Sequence, residues 1–139
     1  MSLCRPRREG RRIVLCNEKS ESRRGLHKRR RIPLVIRGDS ISNPEGDARP
    51  SKPLYAIGEA YEIYVEPRPG ELYAQVDLVM NPWKRVKGYI EIYDDSGNML
   101  IRAKYAKLKL RFSRGVAKYG RLVEMIARSL KIPYKNVNW

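Results

Sequence analysis

Threonine is absent from this 139-residue chain, glutamine occurs once at Gln75, histidine once at His27, and cysteine only at Cys4 and Cys16. Each shortage removes an explanation. A closed structural zinc site takes about four N/S ligands, and Cys4, Cys16 and His27 supply three at a spacing that matches no familiar zinc knuckle. No Cys/His pair comes with an orienting third group, so nucleophilic catalysis has no visible machinery. The cysteines read as reduced thiols in a basic segment, with a disulfide closing that segment or a zinc ion as the alternatives. Missing Thr and scarce Gln beside heavy charge match the composition of proteins from hot habitats. No apolar run approaches the roughly 18 residues of a membrane span. Met1-Ser2-Leu3-Cys4 runs straight into arginines, not into a secretory apolar core. The expected location is cytoplasmic, with no membrane partner.

What the chain has in excess is positive charge, +15 overall with a pI near 10.2, and it is unevenly placed. Residues 1–37 carry 13 Lys/Arg against 3 acids, residues 38–80 carry 3 against 8, and residues 81–139 carry 14 against 4. Two basic blocks flank an acidic middle. In the first block Arg5, Arg7, Arg8, Arg11 and Arg12, then Arg23 and Arg24, then Lys28, Arg29, Arg30 and Arg31 come in bursts, each able to meet several phosphates and release their counterions. Without sustained periodicity, this block reads as an extended arm, although Arg12-Ile13-Val14-Leu15 and Ile32-Pro33-Leu34-Val35-Ile36 could pair as edge strands. A disordered targeting tail is the bland alternative, since Lys28-Arg29-Arg30-Arg31 also resembles a nuclear-import signal.

Gly38, Pro44, Gly46, Pro50 and Pro53 mark residues 38–53 as a turn-rich linker. From residue 54 the apolar period is two. Tyr61, Ile63 and Val65 form one strand, Pro67-Arg68-Pro69-Gly70 a turn, and Leu72 to Met80 a second strand, together predicting a hairpin. Gly88 to Tyr93 gives a third strand, and Asp94-Asp95-Ser96-Gly97-Asn98 closes a hairpin onto a fourth. In that fourth strand the apolar set shifts from Met99, Ile101, Ala103, Tyr105 to Ala106, Leu108, Leu110, Phe112, which predicts a bulge or bend near Tyr105-Ala106. One face would then carry Arg102, Lys104, Lys107, Lys109 and Arg111. Ser113 reads as the N-cap of a helix through Val116, Tyr119, Val123, Ile126 and Leu130, with Lys118 and Arg121 outward and Glu124 four before Arg128. The expected fold is α+β: a basic N-terminal arm, then a small, mostly antiparallel sheet of about four strands with one C-terminal helix packed on it, over residues 54–139.

Two family resemblances follow. The Gly/Pro-punctuated Arg/Lys extension ahead of a small basic α+β domain is similar in design to ribosomal proteins, whose extensions thread between rRNA helices. That resemblance implies rRNA and neighbouring ribonucleoprotein subunits as partners. The segment Glu71 to Val137, with its acid-bearing strand, its Asp94-Asp95-Ser96-Gly97-Asn98 hairpin and its helix starting Gly115-Val116-Ala117-Lys118-Tyr119, resembles the opening of a ribonuclease H-like domain. This implies a metal-binding acid at Asp77 and a glutamate where the chain has Lys118. A cation there repels magnesium, and two-metal cleavage needs several carboxylates around ions about 4 Å apart, so the implication is a relic of that fold without its active site.

Elsewhere there is no phosphate-cradling glycine motif, and Glu59, Glu62, Glu66 and Glu71 read as solvated strand edges. The expectation is therefore a non-catalytic structural RNA-binding protein with no cofactor, metal or small-molecule substrate. Its expected RNA contacts are the arm cations together with Lys84, Arg85, Arg102, Lys104, Lys107, Lys109, Arg111, Lys118 and Arg121, with Trp83, Tyr105 and Trp139 able to stack on bases. Nonspecific coating of duplex DNA, as in nucleoid or virion packaging, is the alternative, and an inactive ribonuclease H-like relic the third.

Overall fold

The computed structural model describes residues 4–138 apart from the side chain of Arg114; Met1, Ser2, Leu3 and the stacking candidate Trp139 lie outside the described residues. Strand makes up 55% of the structure and helix 10%. The strands are β1 Arg7–Glu9, β2 Arg12–Glu21, β3 Lys28–Arg37, β4 Ser40–Ser42, β5 Asp47–Ser51, β6 Ile57–Val65, β7 Leu72–Met80, β8 Val86–Tyr93, β9 Met99–Ala106, β10 Lys109–Gly115 and β11 Asn136–Asn138, with one helix, α1, at Gly120–Ser129. They form one mixed sheet in the order β11-β10-β9-β8-β7-β3-β2-β6-β5, with β1 added to β2 and β4 to β3. An eleven-stranded sheet thus replaces the small four-stranded one. The segment read as an arm supplies its middle, and β4 and β5 fall inside the segment read as a linker.

The sheet folds over along the β2–β3 hairpin. These strands pair only where Glu18–Glu21 meet Lys28–Arg31. Beyond that, β2 turns to β1 and β3 to β4. The divergence falls at Pro33, which has no N–H to give to a second neighbour. Gln75 fills the opening as a substitute strand: its Oε1 accepts from the Cys16 N–H at 2.8 Å and its Nε2 donates to the Cys16 carbonyl at 2.7 Å. The only glutamine in the chain therefore closes the backbone ledger of a buried strand.

Folding over creates two cores. Ile13 and Leu15 of β2 and Ile63 and Val65 of β6 pack on Val35, Tyr73 and Tyr93. On the other face of the larger half, Leu34, Ile36, Ala74, Val76, Ile90, Ile92, Ile101 and Ala103 meet Val123, Ile126 and Ala127 of α1. Because β6 and β7 belong to different halves, the predicted hairpin between them does not exist. Pro67-Arg68-Pro69-Gly70 crosses between layers, and β6 pairs with β2 and β5 while β7 pairs with β3 and β8.

The hairpin at Asp94-Asp95-Ser96-Gly97-Asn98 is present between β8 and β9, with the Asp94 carboxylate accepting from the Ser96 and Asn98 amides. The predicted bulge or bend at Tyr105-Ala106 is instead a reversal. Lys107 and Leu108, with φ of 50° and 60°, form a two-residue turn that sets Ala106 opposite Lys109 and Tyr105 opposite Leu110. Odd positions of β9 thereby share a face with even positions of β10, which is the parity slip read in the sequence. Ser113 lies in β10, not at a helix start, and its hydroxyl donates to the Arg102 carbonyl. The helix begins only at Gly120, and Val116 is exposed.

Cys4 and Cys16 form a disulfide, which corrects the reduced thiols expected and removes both from any zinc site. The β1–β2 register, Arg7 opposite Val14, brings Cys4 back to the level of Cys16. Among the described residues no helix is long and apolar enough to cross a membrane.

Candidate nucleic-acid interface

Folding the first block into a sheet changes what its cations can do. Arg31 is buried and pairs with the fully buried carboxylate of Glu18 at 2.6 Å, while its Nη1 donates to the Cys4 carbonyl. Arg29 pairs with Asp77, Arg12 with Asp47 at 3.0 Å, and Arg7 with both Glu62 at 2.7 Å and Glu9 at 2.9 Å. Arg8 donates to the carbonyls of Gly10 and Asp95. Stripping one partner from a buried ion pair costs about 3–5 kcal/mol, more than a phosphate contact returns, so Arg31 is structural. Arg5, Arg11, Arg23, Arg24, Lys28 and Arg30 remain exposed without an acidic partner among the described residues.

The second block sorts onto two sides of the sheet. In one row across the larger half, Arg31, Asp77, Tyr89, Lys104 and Arg111 stand opposite one another; the next row holds Gln75, Glu91 and Arg102. This face points away from α1. Toward its middle the charges cancel: Arg102 bonds Glu91 at 3.2 Å and lies 3.8 Å over the Tyr89 ring. Burial pushes the Glu91 carboxyl up, partly countered by a hydrogen bond from the Tyr93 hydroxyl and by Arg102. Toward the edge they accumulate. Lys87, Lys104, Lys109 and Arg111 are exposed with no acidic partner among the described residues, and Lys104 stands directly opposite Arg111. Like charges across a ladder destabilise it unless something screens them. The stripe predicted from sequence is thus present through Lys104, Lys109 and Arg111.

Lys118 and Arg121 lie on the other side. Lys118 sits 5.0 Å over the Tyr119 ring beside α1, and Arg121 approaches Asp39 at 3.9 Å. The sheet separates them from the stripe.

At the end of the stripe the structure opens into a groove of about 910 Å³. The β7–β8 loop contributes Asn81, Lys84 and Arg85, β8 contributes Lys87, the β9–β10 turn Lys107, and the segment after α1 Lys131. Leu78, Val86, Tyr105, Leu108, Leu130 and Ile132 give it apolar surface, and among the described residues no carboxylate lines it. Burial raises the Tyr105 hydroxyl pKa, and that hydroxyl donates to the Pro133 carbonyl. Asn81 shapes the loop, its Oδ1 accepting from the amides of Trp83 and Arg85. Trp83, beside Lys84, is 79% exposed. A second cavity of about 490 Å³, lined by Lys28, Arg29 and Arg30, shares Leu78 and Val86 with the first.

The groove joins three RNA-contact candidates named from sequence, Lys84, Arg85 and Lys107, to Lys87 and Lys131, which were not among them, and to His27, weighed from sequence only as a zinc ligand. What brings them together is register between distant turns, and only the Trp83-Lys84-Arg85 cluster signalled it locally. Asp77, the acid implied by the ribonuclease H-like resemblance, is held by Arg29, and among the described residues no cluster of three or more His, Cys, Asp or Glu could hold a metal ion. No protein-family model, curated protein or solved structure matches the chain.

Proposed function

We propose that the protein is a non-catalytic RNA-binding component of a ribonucleoprotein particle, the ribosome being the particle its design resembles, and that it binds through the groove and the Lys104–Arg111 face. The observation that carries this reading is the acid-free groove, ringed by Lys84, Arg85, Lys87, Lys107 and Lys131 beside an exposed Trp83. Cations with no internal partner are available to phosphates, and aromatic and apolar surface at their feet favours unpaired bases. Folded RNA presents both together, whereas blunt duplex DNA hides its bases.

The test measures affinity for an RNA hairpin with an unpaired loop against a blunt DNA duplex of equal length, across salt. The RNA binds more tightly. Lys104→Glu with Arg111→Glu weakens it at least tenfold and reduces the salt slope by roughly two, while Lys118→Glu with Arg121→Glu, behind the sheet, leaves it unchanged. Equal or tighter DNA binding turns the assignment to the duplex-coating alternative, and no binding of either removes the reading.

A further inference from the structure

Eleven described residues have positive φ. Seven are glycines: Gly10, Gly25, Gly38, Gly58, Gly70, Gly97 and Gly115. The four that are not, Lys84 at 60°, Lys107 at 50°, Leu108 at 60° and Lys131 at 57°, all line the one groove. Each belongs to a turn in which glycine or asparagine is the unstrained choice. Lys131 follows α1 at the left-handed position of a Schellman motif, its amide donating to the Arg128 carbonyl at 3.1 Å and that of Ile132 to Ala127 at 2.8 Å. Lys107 opens a two-residue hairpin turn that demands positive φ at both central positions. Lys84 ends the Asn81 loop, its amide donating to the Asn81 carbonyl at 2.9 Å. Everywhere else among the described residues the chain meets this backbone demand with glycine. Here three separate turns meet it with lysine, and the three lysines converge.

We propose that Lys84, Lys107 and Lys131 form a phosphate cradle for one unpaired nucleotide, whose base lies on the apolar surface of Leu78, Leu108 and Leu130 or against Trp83. The cradle accepts strain at three turns in exchange for positive charge on a short, fixed backbone. This deepens the RNA-binding reading and rests on it, but it concerns different residues from the Lys104–Arg111 face.

Substituting glycine separates the two roles of each lysine. Lys84→Gly, Lys107→Gly and Lys131→Gly each relieve left-handed strain and raise the thermal midpoint by about 2–5 °C. The triple variant, titrated in a Trp139→Phe background so that Trp83 alone reports, loses at least tenfold affinity for a nucleoside 5′-monophosphate and for a six-nucleotide single-stranded RNA. Its affinity for a blunt RNA duplex, held mainly by the sheet face, falls by a smaller factor than its affinity for either of those probes. A triple variant that is more stable yet binds the mononucleotide and single strand as the parent does overturns the cradle. So does a parent protein that binds the duplex but neither of those probes, which leaves the general RNA-binding reading standing. A parent that binds none of the three overturns both.

Discussion

Glu91 shows how the sheet's polar face is balanced at the level of single groups. Its carboxyl is half-buried in the row between Gln75 and Arg102, and this burial raises its pKa despite the Tyr93 hydroxyl and the Arg102 guanidinium. The folded state then binds the proton more tightly than the unfolded chain, whose glutamates titrate near about 4.3. Stability attributable to this group is fully present below that value and falls as pH rises through the elevated folded pKa. Thermal melts of the parent and Glu91→Gln across pH 3 to 8 should therefore show the parent losing ground relative to the variant as pH increases, then a constant difference. A parent that gains on Glu91→Gln with rising pH contradicts the assignment. Glu18 is a different case, since its buried carboxylate meets Arg31, the Ser20 hydroxyl and the Leu54 amide, so the charge arrives with its partners.

At the level of elements, the first 37 residues carry the main lesson. Deleting them from a protein with a loose arm removes affinity and leaves a fold. Here the deletion takes away β1, β2 and β3, which pair with β6 and β7 and cover Ile63, Val65, Tyr73 and Val76. Circular dichroism of a chain starting at residue 38 should show loss of the cooperative thermal transition. A folded truncated chain contradicts the pairing described. The sequence concealed these strands for two physical reasons. Ile13 to Cys16 are buried on both faces, giving a continuous apolar run instead of alternation. Lys28 to Arg31 look like a solvated charge run because the acids that hold Arg29 and Arg31, Asp77 and Glu18, lie far away in sequence. Local features were legible: the Asp94 hairpin, the parity slip after Tyr105, the apolar face of α1 and the Glu124–Arg128 pair at 3.8 Å. Strand partners were not, because Tyr61 to Met80 reads equally well as a hairpin or as a crossing between two layers.

For the molecule as a whole, a net charge of +15 overstates what is open to a partner. Part of the N-terminal excess is spent internally, in the pairs of Arg7, Arg12, Arg29 and Arg31 with acids. Arg5, Arg11, Arg23, Arg24, Lys28 and Arg30 stay open in the N-terminal block, and a second open set gathers where the C-terminal block meets the β7–β8 loop and lines the groove. The candidate site was therefore half legible: Lys84, Arg85, Lys104, Lys107, Lys109 and Arg111 stood out as charge, but their assembly with Lys87 and Lys131 around an apolar groove depends on the register of β7 to β10 and on the end of α1. On the proposed reading, RNA meets a folded surface and not a tail. The most direct measurement is ultraviolet cross-linking of the full chain to an RNA hairpin bearing an unpaired loop, with the cross-linked residues mapped by mass spectrometry. The account predicts a cross-link at Trp83, with adducts on the peptides holding Lys84, Lys107 and Lys131. Cross-links confined to residues 5–31 would contradict it.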